Sequence, residues 1–386
     1  MPDPIIEPQD AIAAEVRRWV DREVIPVVDE LEHNNTFPDQ LVQGMRELGL
    51  FELMIPQEYG GIGATYVSYS GVVEELARGW MSLGGILNTH VIITHLVSTF
   101  GTEDQKQRYL PQLSTAERRG ALTITEPNAG SDVQAIQTVA VRDGDDYVVN
   151  GSKLFVSNGR RGGLFAMAVK TDPQVDPRYR GISCLLVQPD YPGFVVTRDI
   201  EKLGYKGIEA SELSMDNLRV PAGNLLGGEE GQGFFQILSG VEVGRVNTAA
   251  RAVGVARAAF EAAATYAQQR QAFGKPIGEH QAIQLKLADM YTNITAARLL
   301  ARWAAGVKDQ GGRADTEVGM AKLFATEVAT ETTLESMRIH GGIGYTKEMP
   351  VERFFRDAPG MMIYEGTNEI QRTIIARSVL QRYAVN

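Results

Sequence analysis

The chain has 386 residues, too many for one common domain, and its composition, 44% hydrophobic and 22% charged, is that of a globular protein. A formal net charge of -10 speaks against non-specific nucleic-acid binding, which needs a basic face, but leaves room for a local Arg and Lys cluster that holds a phosphorylated small molecule. One cysteine, Cys184, excludes an internal disulfide framework, and five scattered histidines without an HExxH pattern lead us to expect no metal.

The acidic start, Met-Pro-Asp-Pro-Ile-Ile-Glu, lacks both a signal-peptide pattern and an Arg/Ser-rich transit pattern. No apolar stretch reaches membrane-spanning length without a charge or a glycine break. A cytoplasmic location away from membranes is the expectation. To about Arg118 the apolar residues keep helical spacing, as in Ile12, Val16, Trp19 and Val20, then Leu41, Met45 and Leu48. Residues 56–63 read as a loop whose Gly-Gly-Ile-Gly lacks the third glycine of a dinucleotide fingerprint. From Ala121 to about Pro221 the apolar runs shorten. Residues 138–149 read as a hairpin, Asn150-Gly151 and Asn158-Gly159 as tight turns, and residues 182–187 and 194–197 as strands. This middle part should be a barrel or sandwich. Long helical patterns then cover residues 233–269, 282–307 and 316–339, with a last amphipathic helix over 369–383, as in an antiparallel bundle. The expected class is α+β, mostly α, with domains over 1–118, 119–226 and 227–386.

Five segments carry chemistry. In residues 361–372, Met-Met-Ile-Tyr-Glu-Gly-Thr-Asn-Glu-Ile-Gln-Arg, one carboxylate, Glu365, follows four apolar or aromatic residues. Lost hydration would raise its pKa and make it a base near neutral pH. Gly366 admits close backbone approach, and Thr367 can cap the next helix, whose free N–H groups suit a phosphate. Thr125-Glu126-Pro127-Asn128-Ala129-Gly130-Ser131-Asp132 can offer hydroxyl and N–H donors to a flat ligand. Phe155 and Ser157, two apart at a strand end, should share a face. Arg270-Gln271-Ala272-Phe273-Gly274-Lys275 reads as a helix ending at Gly274 with basic side chains. His340-Gly341-Gly342-Ile343-Gly344-Tyr345 allows the approach a diphosphate requires. Each segment alone fits an ordinary turn, helix end or core aromatic equally well.

Together, and in this order along essentially the whole chain, they resemble the acyl-CoA dehydrogenase family. Residues 56–61 are similar to its Pro-x-x-Tyr-Gly-Gly loop, 125–132 to one flavin-binding signature, and 338–357 to a second with Gly341-Gly342, Gly344, Glu348, Arg353 and Asp357. The resemblance implies a helical domain, a middle β-barrel and a C-terminal four-helix bundle. It implies FAD, an acyl-CoA substrate from fatty-acid or short or branched acyl catabolism, an electron-transfer flavoprotein as acceptor, and a homotetramer built as a dimer of dimers. Glu365 matches the base that takes the α-proton while hydride leaves Cβ for flavin N5. Its own N–H and a ribityl hydroxyl would hold the thioester oxygen. Leu122, Thr125 and Ser131 match flavin contacts, Phe155 and Ser157 the residues against its ring system, and Thr367 and Glu369 contacts near its phosphates and adenosine. Arg270, Phe273, Gln281, Arg338, Gly341 and Gly342 match FAD contacts made across a dimer interface. Ser131, Glu242, Arg245, Tyr364 and Gly366 match positions beside substrate. Glu242 and Arg245 are also spaced for an ordinary i, i+3 ion pair. Asn88, Thr89 and His90 should lie near the acyl tail, where Asn88 and His90 hint at a short or functionalised chain.

Departures from the family pattern are Phe155 where many members have Trp, Ala272 in place of a hydroxyl, and Arg338 in place of Gln. Some members carry the base on the bundle helix; that position is Gly244 here, which leaves Glu365 as the sole candidate. An acyl-CoA oxidase or a dehydrogenase of carrier-protein thioesters is the alternative. A nucleic-acid-binding member would carry a basic C-terminal extension, which is not expected in a chain ending at Asn386.

Overall fold

The computed structural model describes residues 7–384. The opening segment read above for targeting features therefore lies, up to Ile6, outside the described residues. Among the described residues the first domain holds six α-helices, α1 (Ala11–Trp19), α2 (Val28–His33), α3 (Asp39–Glu47), α4 (Tyr66–Gly79), α5 (Met81–Phe100) and α6 (Glu103–Ser114). Their starts follow side-chain chemistry. Asp10 accepts from the N–H of Ala13, Thr65 from that of Ser68, and Thr102 forms a reciprocal capping box with Gln105. Among the described residues α5 alone is long and apolar enough to cross a membrane, yet 78% of its most apolar window is buried inside the protein. It is a core helix. Leu83, Ile86 and Leu87 pack into the first domain, while Ile92, Ile93, Leu96 and Val97 pack toward the middle one.

The middle domain is one curled seven-stranded sheet, with strands β1 (Gly120–Thr123), β2 (Val139–Asp143), β3 (Asp146–Val156), β4 (Leu164–Lys170), β5 (Ile182–Val187), β6 (Phe194–Asp199) and β7 (Ser211–Pro221). The order is β1-β4-β2-β3-β7-β6, and β5 adds to β4. The β2–β3 hairpin pairs Asp143 with Asp146 around Gly144. Asn150-Gly151 is not a turn. It lies inside β3, where the register against β7 shifts between Val149 and Gly151. A Cβ on Gly151 would stand 2.5 Å from Thr138 Oγ1, so glycine serves a bulge there.

The last domain is built on α7 (Gly233–Gln269), α8 (Gln281–Asp309), α9 (Asp315–His340) and α11 (Asn368–Arg382), with the short α10 (Val351–Asp357) before the last. Alanines let these helices approach closely: Ala252, Ala256 and Ala259 of α7 share a core with Ala297, Ala301 and Ala304 of α8 and Ala321, Ala325 and Ala329 of α9. Helix α7 also packs on α4 and α5 of the first domain and β5 of the second, so it ties all three together. It ends at Gln269, as the pattern over 233–269 expects, and not at Gly274, where the Arg270–Lys275 segment reads as a helix end. Residues 271–276 instead form a two-stranded ribbon, with Phe273 (φ 53°) and Gly274 (φ 80°) at its turn. Two successive positive φ values are what a tight I′ hairpin turn requires.

Candidate active site

A cleft of about 670 Å³ opens between the middle domain and the bundle. The Glu365 side chain meets it from the loop between α10 and α11. After a 3-10 turn over Ala358–Met362 the chain reaches Glu365 at φ 55° and Gly366 at φ 81°. Left-handed backbone at a glutamate costs about 1–3 kcal/mol and persists only where the surroundings hold it. Here Arg245 Nε and Gln371 Nε2 each donate to the Glu365 carbonyl at 3.3 Å, and Gln371 also donates to Gly366 O at 3.0 Å. Thr367 then caps α11 by accepting from the N–H of Ile370.

The carboxylate has two defining neighbours. Asn88 on α5 donates from Nδ2 to Oε1 at 2.8 Å. Gly244 on α7 faces it so closely that a Cβ there would lie 2.6 Å from Glu365 Cδ. Glycine at that place is thus the space the Glu365 carboxylate fills. Burial raises the Glu365 pKa above its ordinary value; the charge of Arg251 opposes the rise most, followed by the Asn88 hydrogen bond and the charges of Arg245 and Lys322. Beyond the carboxylate, Tyr205 and Tyr364 stack at 5.9 Å between centroids. The Arg251 guanidinium lies over both rings and donates to the Tyr205 hydroxyl at 2.8 Å.

From the middle domain Leu122, Thr125, Ser131, Phe155 and Ser157 line the same cleft. Phe155 and Ser157 do not share a strand face as expected. Phe155 sits at φ 57°, in a register shift near the end of β3, and Ser157 lies past the strand. The shift turns the Phe155 ring outward, 60% exposed. The Thr125 loop rests on a buried ion pair: Lys153 Nζ meets Glu126 Oε1 at 2.7 Å, and Glu126 also accepts from the Thr138 hydroxyl at 2.6 Å.

Tyr364, Gly366, Thr367 and Arg245 border the cleft; Glu242 does not. Glu242 and Arg245 are not paired with each other. Glu242 meets Lys308 at 2.6 Å and accepts from the N–H of Ala314 at 3.1 Å, while Arg245 meets Asp315 at 3.4 Å. Glu369 is exposed on the first turn of α11, where its own backbone N–H, with the Thr367 hydroxyl, holds its pKa down. Arg270, Phe273, Gln281, Arg338, Gly341 and Gly342 lie at the surface, away from the cleft. They share one end of the bundle, where Tyr266 stacks on His340 at 4.4 Å. Asn88 and Thr89 line the cleft, but His90 is a core residue. It bonds Phe51 O at 3.0 Å and accepts from Gly120 N at 3.3 Å, and burial lowers its pKa to about 4. Arg251, Tyr205 and Lys322 were missed. A lone charge on an alanine-rich helix has no local signal, because its partners come from distant segments.

An exposed aromatic face at Phe155, the Ser157 hydroxyl beside it, and open space around Gly130 next to Ser131 fit a flat polar cofactor against the middle domain. The chain matches all three acyl-CoA dehydrogenase domains: the N-terminal domain over residues 7–117, the middle domain over 121–218 and the C-terminal domain over 231–380. It is 42% identical over 366 residues to an acyl-CoA dehydrogenase of Bacillus subtilis (strain 168), covering 95% of this chain and 96% of that protein. It resembles a chain from a study of the electron transferring flavoprotein of Acidaminococcus fermentans, with TM-score 0.94, 37% identity, and 97% and 98% of the two chains covered. It also resembles butyryl-CoA dehydrogenase from Megasphaera elsdenii, with TM-score 0.92, 35% identity, and 96% and 98% covered. The chain belongs to the acyl-CoA dehydrogenase family, whose members are FAD flavoproteins.

Proposed function

We propose that the chain dehydrogenates a short-chain acyl-CoA at Cα–Cβ with Glu365 as the base. The observation that carries this reading is the Glu365 carboxylate itself, held by Asn88 at 2.8 Å in the cleft opposite Gly244. Burial that raises its pKa makes it able to take an α-proton near neutral pH. Its backbone N–H donates to no group among the described residues, so it is free to receive the thioester oxygen and to stabilise charge as the proton leaves. Bound FAD supplies the acceptor for the hydride from Cβ. Leu122, Thr125, Ser131, Phe155 and Ser157 are the residues that would hold its ring system, and Thr367 and Glu369 its phosphate side. Arg245, in the lining of the cleft beside Glu365, would border the CoA arm.

A short acyl group is supported by the wall of Tyr205, Tyr364 and Arg251, and by the likeness to butyryl-CoA dehydrogenase from Megasphaera elsdenii. An electron-transfer flavoprotein as acceptor is supported by the Acidaminococcus relative. A homotetramer is supported by the surface cluster at the bundle end. Phe273 there is 97% exposed and away from this chain's own cleft, as a residue reaching a neighbouring copy's cofactor would be. Sedimentation at the monomer mass would remove that part. The direct test of the chemistry is an anaerobic panel of acyl-CoAs. Butyryl-CoA should bleach the flavin and long-chain thioesters should not. Rapid peroxide formation under air would make the protein an oxidase instead.

A further inference from the structure

Lys322 on α9 is wholly buried. Its three hydrogen bonds run to the Met362 carbonyl at 3.2 Å, the Gly366 carbonyl at 2.9 Å and Asn368 Oδ1 at 2.9 Å. An ammonium has three donors, and all three oxygens are acceptors in one stretch of seven residues that contains Glu365. The Asn368 amide is itself fixed by the Thr326 hydroxyl at 3.1 Å, one turn along the same face of α9. One turn the other way, Gly319 leaves room for Gln371, since a Cβ there would stand 3.2 Å from Gln371 Oε1. Gly319, Lys322 and Thr326 thus form a seat at helical spacing under the loop. Burying an ammonium so deeply is costly unless its hydrogen bonds secure something. What they bracket is the left-handed pair Glu365 and Gly366, at φ 55° and 81°.

We propose that Lys322 is a positioning residue for proton abstraction: from α9 it clamps both sides of the loop that presents Glu365, and so sets where the carboxylate stands in the cleft. This rests on Glu365 acting as the base. Neither Lys322 nor Asn368 hydrogen-bonds the carboxylate. Apart from the charge of Lys322, which favours the ionised form of Glu365, their effect passes through the backbone, and so falls on the chemical step more than on acyl-CoA binding.

The test uses the FAD-loaded full chain. Bleaching of wild type by butyryl-CoA first establishes the reading on which the clamp depends. Lys322→Met keeps the apolar stem and removes all three donors. It should keep the flavin and a nearly unchanged KM while kcat falls on the order of a hundredfold, the loss expected when a reacting group is misplaced by about 1 Å. The α-deuterium isotope effect should rise, and hydrogen–deuterium exchange over residues 361–368 should quicken. Lys322→Ala should regain part of its rate with added methylammonium. A Lys322→Met variant with wild-type kcat and isotope effect overturns the proposal, as does one that loses rate only in step with lost flavin. If Lys322→Met does not fold, Asn368→Ala removes one of the three bonds. It should lower kcat severalfold without moving KM, and an unchanged kcat overturns the clamp. If no acyl-CoA bleaches wild type, the dehydrogenase reading has failed. Exchange over residues 361–368 then judges the clamp alone, and no change in Lys322→Met overturns it.

Discussion

At the residue scale the site is a carboxylate whose charge is tuned from several sides. Burial disfavours the ionised form of Glu365; Asn88, Arg251, Arg245 and Lys322 favour it. As the proposed base, Glu365 works only when ionised, so the rate of flavin bleaching should rise with pH through its pKa. Asn88→Ala removes one donor to the charged form. The Glu365 pKa should then rise further, and the acid limb of the profile should move up by about one pH unit. Near the alkaline plateau the variant should approach the wild-type rate. An unmoved limb would mean that the Asn88 bond does not tune the base. Glu365 stood out because its apolar run, the glycine after it and the capping threonine lie side by side, but that run alone fits an ordinary helix start, and its reading as a base came from the resemblance that the distant segments carry together. Asn88 was legible only as a polar residue near the acyl tail; its bond to a residue 277 positions away was not.

At the element scale periodicity carried far. The long patterns over α7, α8 and α9 became helices with nearly the expected ends, because burial against neighbours follows helical spacing over many turns. Short signals fared worse. Asn150-Gly151 has the chemistry of a turn and of a bulge alike, and only the register against β7 decides between them. The pattern over 233–269 ends where α7 does, whereas Phe273-Gly274 looks like a helix stop but forms a hairpin turn. The Thr125 loop gives a prediction at this scale. The carboxylate of Glu126 is held below its usual pKa despite burial by Lys153 at 2.7 Å, with both side chains almost fully enclosed. Lys153→Met leaves that carboxylate without its cation and should destabilise the protein by about 3–5 kcal/mol. Urea unfolding at neutral pH reads this directly, and a variant as stable as wild type would show that the pair does not hold the loop.

At the scale of the whole molecule, three domains meet along α7, and the cleft exists only where they meet. Domain order was readable because helical, β and helical patterns succeed one another without mixing. The resemblance alone linked Gly244 to Glu365; that Asn88 of α5, Arg251 of α7 and Lys322 of α9 converge on the same carboxylate was not readable, since these come from three distant helices. Residues expected to reach FAD from a second copy sit on the outside of the bundle, away from this chain's own cleft. The central claim is that Glu365 removes the α-proton. Its most direct test is anaerobic stopped-flow bleaching of the FAD-loaded Glu365→Gln variant by butyryl-CoA. The variant should bind flavin and thioester as wild type does and bleach slower by at least a thousandfold, on the order expected when a general base is lost. Bleaching at the wild-type rate would contradict the account.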